Sequence, residues 1–169
     1  MMELAVETIT TAAEAAGISS VEEYSETISD RMKAALPRLE YQVLNEDLDP
    51  VRTGLFSATR DQVAKTETRK RRLHRWTLRI RCLIAAETEA SAESYFKTFL
   101  ENLPKHAADD DGLDVKITPH RAERKGFSRS LVEVFPKKEI AVFITFAGGI
   151  YTEEEVDLIT EATITPEVQ

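Results

Sequence analysis

The sequence has 169 residues, of which 42% are hydrophobic and 31% are charged, and a formal net charge of -8. This is the composition of a globular domain that is large enough to bury a core. Its single cysteine, Cys82, excludes an internal disulfide and a multi-cysteine metal cage. The apolar runs are far shorter than the roughly 18 to 20 residues that a membrane-spanning helix needs, so we expect a cytoplasmic protein with no membrane partner.

Two helices are predicted at the start of the chain. Apolar residues at near-helical spacing, followed by Gly17, predict an accessory N-terminal helix within residues 1–17. Ser20 and Glu23 have the spacing of a capping box, and the apolar residues that follow recur at steps of three and four. This pattern predicts a second helix that ends at Pro37.

A strand and an arm are predicted next. Apolar and polar residues alternate around Tyr41, which predicts a strand. The acidic stretch 45–49 and Pro50 are expected to end this strand. Residues 51–68 show no clear period, and we interpret them as an irregular arm or a long hairpin arm outside the core.

The clearest pattern is an alternation of apolar and polar residues between Arg75 and Ile84. A period of two over about ten residues predicts a strand with one apolar face and one cationic face. Arg75, Arg79 and Arg81 lie on the cationic face, whereas Trp76 lies on the apolar one.

A helix, a turn and a strand should follow. Thr88 is suited to cap a helix whose apolar side ends near Pro104. Residues 109–112 predict a turn, and the alternation beyond them predicts a strand that ends at Pro119.

The remaining sequence predicts strands near the centre of a sheet. Runs 131–135 and 140–146 are rich in β-branched and aromatic residues, and the second is expected to be buried on both faces and to end at Gly148 and Gly149. The tail 156–164 fits either a strand or a short helix. The order of elements predicts a single α+β domain over residues 1–169, with two or three helices against a mostly antiparallel sheet.

The charges are distributed unevenly along the chain. Eight of the 22 basic residues lie in the basic segment 65–81, where Glu67 alone opposes them. These eight residues are Lys65, Arg69, Lys70, Arg71, Arg72, Arg75, Arg79 and Arg81. The chain has no Lys or Arg after Lys138, and the carboxylates that accumulate near the C-terminus include Glu153, Glu154, Glu155 and Asp157.

The mutual repulsion of the basic residues would be costly without an anionic neighbour. We therefore predict that these eight basic and four acidic residues lie at a subunit or partner interface, where the basic edge of one copy meets the acidic edge of the next.

The residue patterns do not indicate a catalytic, cofactor or metal site. His74, His106 and His120 lie far apart and form no HxxxH or HExxH pair. Cys82 falls on the predicted apolar face, where a thiol is usually inert. The glycine-rich stretch 147–149 lacks the lysine of a phosphate-binding loop. We predict no enzyme, no cofactor and no metal.

A nucleic-acid-binding regulatory module that uses the basic segment is the main alternative. The only aromatic residue among these cations, Trp76, is assigned to the opposite face, and the acidity of the rest of the chain would repel DNA or RNA. We therefore favour a protein partner. A small-molecule enzyme based on carboxylates that the sequence does not identify is the next alternative.

The order of elements resembles the tail terminator proteins of tailed bacteriophages and related prophages, and it is similar to the minor tail proteins of Mu-type phages. The resemblance covers residues 20–150 approximately and depends on the helix ending at Pro37, the strand around Tyr41, the long arm, the strand 75–81 and the helix containing residues 95–100. These families have no catalytic signature.

The resemblance implies a non-enzymatic subunit that forms a ring, commonly a hexamer, on the end of the completed tail tube. It implies that the ring ends tube polymerisation and joins the tail to the head. The implied partners are further copies of the chain, the tail tube and the head–tail connector proteins, and the implied location is the cytoplasm during assembly and then the virion tail.

Overall fold

The computed structural model describes residues 2–24, 35–51, 55–109, 111–124 and 138–158. Within these residues the chain forms two helices and seven strands. The helices are α1 (Met2–Ala15) and α2 (Glu89–Asn102). The strands are β1 (Ser20–Glu23), β2 (Arg38–Pro50), β3 (Leu55–Asp61), β4 (Thr66–Ala86), β5 (His106–Ala108), β6 (Asp114–Arg124) and β7 (Lys138–Asp157).

The strands form a mixed sheet in the order β1-β2-β4-β7-β6-β5, and β3 pairs with β4. Strand β1 is parallel to β2, whereas β3 with β4, β5 with β6 and β6 with β7 are antiparallel. The protein is therefore α+β, as predicted, but the sheet also contains a parallel pair. None of the helices in the described part of the chain is long and apolar enough to span a membrane.

The contacts divide the chain into two compact units. Unit 1 consists of Met1–Asp47 and Thr77–Gly148, and unit 2 consists of Leu48–Trp76 and Gly149–Gln169. Both helices belong to unit 1, whereas β3 and the part of β4 that pairs with it belong to unit 2.

The core of unit 1 forms between the two helices and one face of the strands. Helix α1 contacts α2 and buries the small or branched residues on one side, Ala5, Ile9, Ala12 and Ala13. Small side chains allow two helices to approach closely, and Phe99 of α2 is completely buried. The predicted N-terminal helix is thus confirmed, and it contributes to the core.

Both predicted helix ends are present. Gly17 follows α1 with a φ of 83°, and its N–H donates to the Glu14 carbonyl. A positive φ at this position ends a helix at little steric cost only when the residue is glycine. At the start of α2, Thr88 Oγ1 accepts from the Ser91 N–H at 3.1 Å, and Ser91 Oγ accepts from the Thr88 N–H at 3.2 Å. Thr88 therefore caps α2, as predicted.

The predicted second helix is wrong at its beginning. Ser20–Glu23 is a strand that pairs with β2, beginning with Ser20 opposite Arg38. The Ser20 hydroxyl donates to the Glu22 carboxylate at 2.6 Å. The two residues with capping-box spacing therefore lie in an edge strand of the sheet and not at the start of a helix. Residues 25–34 of the predicted helix lie outside the described residues.

Three strands continue beyond their predicted ends. Strand β2 includes the acidic stretch and ends at Pro50. Strand β6 passes Pro119, where its register with β7 shifts before Ala122, and this irregularity accommodates a residue without an N–H. Strand β7 passes Gly148 and Gly149, and residues 140–144 are buried or half-buried as predicted.

The arm 51–68 is a hairpin over much of its length. Strands β3 and β4 pair from Leu55 opposite Arg71 to Asp61 opposite Thr66. For this part the structure confirms a hairpin, and an irregular arm is wrong there. The predicted strand 131–135 lies outside the described residues, as does the tail beyond residue 158.

Candidate interaction surface

The alternation predicted for β4 is present. Trp76, Leu78 and Ile80 are buried, whereas Arg75 and Arg79, which alternate with them along the strand, are exposed. Alternation of this kind places the arginines on the face of β4 that does not contribute to the core. The structure therefore confirms that this strand has an apolar face and a cationic face.

In unit 2, acidic and aromatic residues of β7 contact the basic part of β4. Lys70 Nζ lies 2.9 Å from Glu153 Oε1, and Arg71 Nη2 lies 3.7 Å from Glu154 Oε2. Further along, the Arg72 side chain donates to the Tyr151 hydroxyl. The Lys65 carbonyl accepts from the Leu158 N–H, whereas Arg72 contacts Tyr151, so the two segments run antiparallel here.

These contacts change the interpretation of the basic segment. Lys70 and Arg71 were expected to meet carboxylates of another copy, but the structure brings them to Glu153 and Glu154 of the same chain. Part of the repulsion is therefore compensated internally. Partly exposed ion pairs contribute little stability, about 0 to 1 kcal/mol each. A role for these residues at an interface remains a prediction.

Glu67 is the acceptor of a second group of cations. Arg69 Nε and Arg60 Nε each lie 2.7 Å from one of its carboxylate oxygens. These two guanidinium groups hold the pKa of Glu67 below its usual range, because their hydrogen bonds stabilise the ionised form. The sequence analysis did not identify Arg60, which lies directly opposite Glu67 on β3. Only the hairpin register reveals this relationship.

Four cations of the basic segment form no ion pair within the described residues. Lys65 and Arg75 are exposed in unit 2, and Arg79 is exposed in unit 1. Arg81 is half-buried, and its guanidinium carbon lies 6.0 Å from the centre of the Tyr24 ring. These positions are the part of the basic segment whose charge is available to another molecule.

Arg79 lines a cleft of about 450 Å³ in unit 1. Phe143 and Thr145 of β7 line the same cleft, together with His120 of β6. His120 Nε2 lies 2.8 Å from Thr145 Oγ1, and Arg121 pairs with Glu123. The lining thus includes a guanidinium, a hydroxyl and an imidazole, which can hydrogen-bond an anion, together with the Glu123 carboxylate.

The predicted acidic positions after Glu154 have exposed side chains. Glu155 and Asp157 belong to β7 and make no ion pair with the part of the chain that the structure describes. Together with the exposed cations, they leave charges of both signs on the surface of unit 2.

Cys82 lies in the core of unit 1. Burial raises the pKa of its thiol, which disfavours the reactive thiolate. This agrees with the interpretation of Cys82 as an inert apolar residue. The described ranges contain no group of three or more His, Cys, Asp or Glu side chains arranged to hold a metal ion.

No family model matches this sequence, and no curated protein matches it. Among solved structures, the chain is weakly similar to one chain of the "Virion of native gene transfer agent (GTA) particle". The two share 9% sequence identity with a TM-score of 0.39, over 86% of this chain and 94% of that chain.

Proposed function

We propose that this protein is a structural subunit of a tailed phage or phage-related particle. In this proposal, copies of the chain form a ring on the end of the tail tube, end its polymerisation and join the tail to the head connector. The observation that supports an assembly role is the concentration of exposed apolar side chains in unit 2. Of six large apolar residues that are exposed in the described part of the chain, four belong to this unit: Leu48, Val63, Leu73 and Ile150.

Leu73 and Ile150 lie on the neighbouring strands β4 and β7, and each is one residue from the contact between Arg72 and Tyr151. Leu73 follows Arg72 on β4, and Ile150 precedes its contact Tyr151 on β7. Strand alternation directs Leu73 and Ile150 away from the face of the Arg72–Tyr151 contact. They remain 37% and 43% exposed. Single exposed apolar residues are ordinary, but neighbouring ones are typical of a contact surface.

Arginines flank this apolar pair. Arg71 and Arg75 are each two residues from Leu73, so alternation places all three on the same face of β4. Protein interfaces are enriched in arginine and apolar residues and depleted in lysine and acids. This face of unit 2 therefore has the composition of a protein-binding surface.

Charge complementarity favours another copy of the chain as the partner. The molecule has a net charge of -8, yet Lys65, Arg75 and Arg79 make no ion pair within the described residues. An acidic surface of one copy and a cationic surface of the next would attract each other. A contact between two different surfaces of identical subunits is head-to-tail, and it closes into a ring when the rotation permits.

The internal pairing of the basic segment disfavours the nucleic-acid alternative. Lys70, Arg71 and Arg69 each have a carboxylate of the same chain within 4.0 Å, so fewer cations are available to phosphates. A regulatory module would be retained on DNA with a steep salt dependence. Retention of that kind would favour the alternative over the proposed function.

Deletion of the gene from the genome that encodes it tests the proposal. We expect electron microscopy of the deletion strain to show overlong tail tubes without heads, and the wild-type gene to restore normal tails. The variant Leu73→Glu should fail to restore them, whereas Thr68→Glu, an exposed position on the opposite face of β4, should succeed. Tails of normal length joined to heads in the deletion strain would contradict the proposal.

A further inference from the structure

The tip of the β3–β4 hairpin presents an apolar side chain to solvent. Val63 is 94% exposed, the largest value among the exposed large apolar residues that the structure describes. Hydrogen bonds nevertheless constrain the backbone of the tip. Asp61 Oδ1 accepts from the Val63 N–H at 2.8 Å and from the Ala64 N–H at 2.9 Å. The Lys65 carbonyl, at the base of the tip, accepts from the Leu158 N–H at 2.8 Å.

This hydrogen bonding makes the tip suitable for insertion into another surface. A loop that is already ordered loses less conformational entropy when it binds than a flexible loop does. The two N–H donors also hold the pKa of Asp61 below its usual range, so the carboxylate that shapes the tip stays ionised near neutral pH. Val63 is thus a preformed apolar knob.

Unit 1 contains a cleft that suits such a knob. The cleft has a volume of about 450 Å³ and is lined by residues of α1 and of the segment at the end of α2. Leu4, Ala12 and Pro104 supply apolar surface, and Thr8 supplies a methyl group. Among the described residues that line it, Glu7 is the only charged one.

The charges beside the knob and beside the cleft are opposite. Lys65, two residues after Val63, is exposed and makes no ion pair with the described part of the chain. Glu7 is likewise exposed and makes no ion pair there. Insertion of Val63 would therefore bury apolar surface on both sides while Lys65 approached a carboxylate.

We propose that Val63 of one copy inserts into the cleft between α1 and the end of α2 in the next copy, where Lys65 meets Glu7. This inference rests on the proposed function, because it names one contact by which identical subunits join. The knob and the cleft are different surfaces, so each copy uses its own knob and receives another. Such a contact is head-to-tail and permits a closed ring.

Disulfide crosslinking tests the contact. The double variant Val63→Cys, Thr8→Cys should form covalent dimers, trimers and larger species under mild oxidation, up to the number of subunits in the ring. Native Cys82 is buried and should not compete. The control Val63→Cys, Ser94→Cys carries its second thiol at an exposed position of α2 that does not line the cleft, and it should not give this series.

The crosslinking is performed on the purified protein and on particles that carry the variant. Absence of the series in both, or crosslinking confined within single chains, would overturn the inference. The proposed function is judged separately, by tail length in the deletion strain. Normal assembly without the crosslinks would therefore reject this contact and leave the ring proposal intact.

Charge reversal gives a second test of the same contact. Lys65→Glu and Glu7→Lys should each weaken self-association about tenfold or more, because each places like charges together. The double variant should recover most of the wild-type affinity, as measured by sedimentation velocity at low salt. If the double variant lost as much self-association affinity as each single variant, a direct pairing of Lys65 with Glu7 would be contradicted.

Discussion

Arg72 on β4 donates from Nε to the Tyr151 hydroxyl on β7 at 3.0 Å, and its guanidinium carbon lies 5.1 Å from the centre of the same ring. A second donation from Arg72 Nη2 reaches the same oxygen. One tyrosine thus engages a cation of the basic segment through both its hydroxyl and its ring. The contact restricts the backbone nearby, because a Cβ at Gly149 would lie 2.8 Å from Arg72 Nε and 2.8 Å from Tyr151 Cε2.

The variant Tyr151→Phe should remove the hydroxyl and keep the ring. Hydrogen bonds to a charged group contribute about 1.5 to 3 kcal/mol, and partial exposure of this one reduces the expected loss to about 1 kcal/mol. For a chain of this size, that loss lowers the melting temperature by roughly 2 to 4 °C. Tyr95→Phe is the matched control, since no hydrogen bond of its hydroxyl occurs within the described residues. Equal melting temperatures for the two variants would contradict a structural role for this contact.

Glu67→Gln should reduce stability at neutral pH and lose this effect in acid. The pKa of Glu67 is lowered in the folded protein, chiefly by the hydrogen bond from Arg69 and then by that from Arg60. A lowered folded-state pKa stabilises the fold above the unfolded value of about 4.3, and this stabilisation disappears as the pH falls through the folded pKa.

Urea denaturation of wild type and Glu67→Gln between pH 7 and pH 3 measures this difference. The gap between the two midpoints should be widest near neutral pH and should narrow below about pH 4. Glu155 is exposed and makes no ion pair within the described residues, so Glu155→Gln is the control variant. Its urea midpoint should stay close to that of wild type at every pH. If the difference in urea midpoint between Glu67→Gln and wild type did not change with pH, the carboxylate charge of Glu67 would not contribute to stability.

Cys82 should react with thiol reagents only when unit 1 opens. Its side chain is fully buried and its pKa is raised by burial, so both access and thiolate formation are suppressed. Labelling with an aromatic disulfide at pH 8 should be slow in the native protein and fast in urea. In Val63→Cys, by contrast, one thiol per chain should react immediately. Fast labelling of native wild type would place Cys82 outside the core.

Local patterns predicted much of the fold, whereas the pairing of distant segments was not predictable. The alternation in β4 and the Thr88 cap depend on neighbouring residues, and both are present. The spacing of Ser20 and Glu23 fits a helix cap locally, but the parallel pairing of β1 with β2 determines the actual conformation. A strand gains its hydrogen bonds from a distant partner, which no local spacing specifies.

The contacts of the candidate surface were likewise not predictable from local sequence patterns. The sequence reveals that the basic segment needs anions, but it does not reveal whether they come from this chain or another. The structure supplies Glu153 for Lys70 and Glu154 for Arg71, because β4 and β7 are neighbours. Val63, which has no charge or motif to mark it, becomes notable only through its exposure at a hairpin tip.

The double variant Arg79→Glu, Arg81→Glu should assemble poorly while remaining folded. Exposed substitutions usually change stability by about 0.5 kcal/mol, although Arg81 also loses its contact with the Tyr24 ring. Reversing two charges at an interface with an acidic neighbour costs several kcal/mol of association energy. Light scattering and thermal melting, measured on the same sample, separate the two effects.

Lys97→Glu, Lys105→Glu makes the same change in net charge at exposed positions outside the basic segment, and it should assemble normally. If Arg79→Glu, Arg81→Glu melts far below wild type, these arginines are structural. If it assembles as well as the lysine control, the basic segment has no role in the contact.

Electron cryomicroscopy of the tail end in purified particles tests the ring proposal most directly. The account predicts a closed ring made only of this chain, seated between the tail tube and the head connector. Within the ring, Leu73 and Ile150 should be covered by protein. Particles in which the chain is absent, or occurs as an isolated copy away from the end of the tube, would contradict the account.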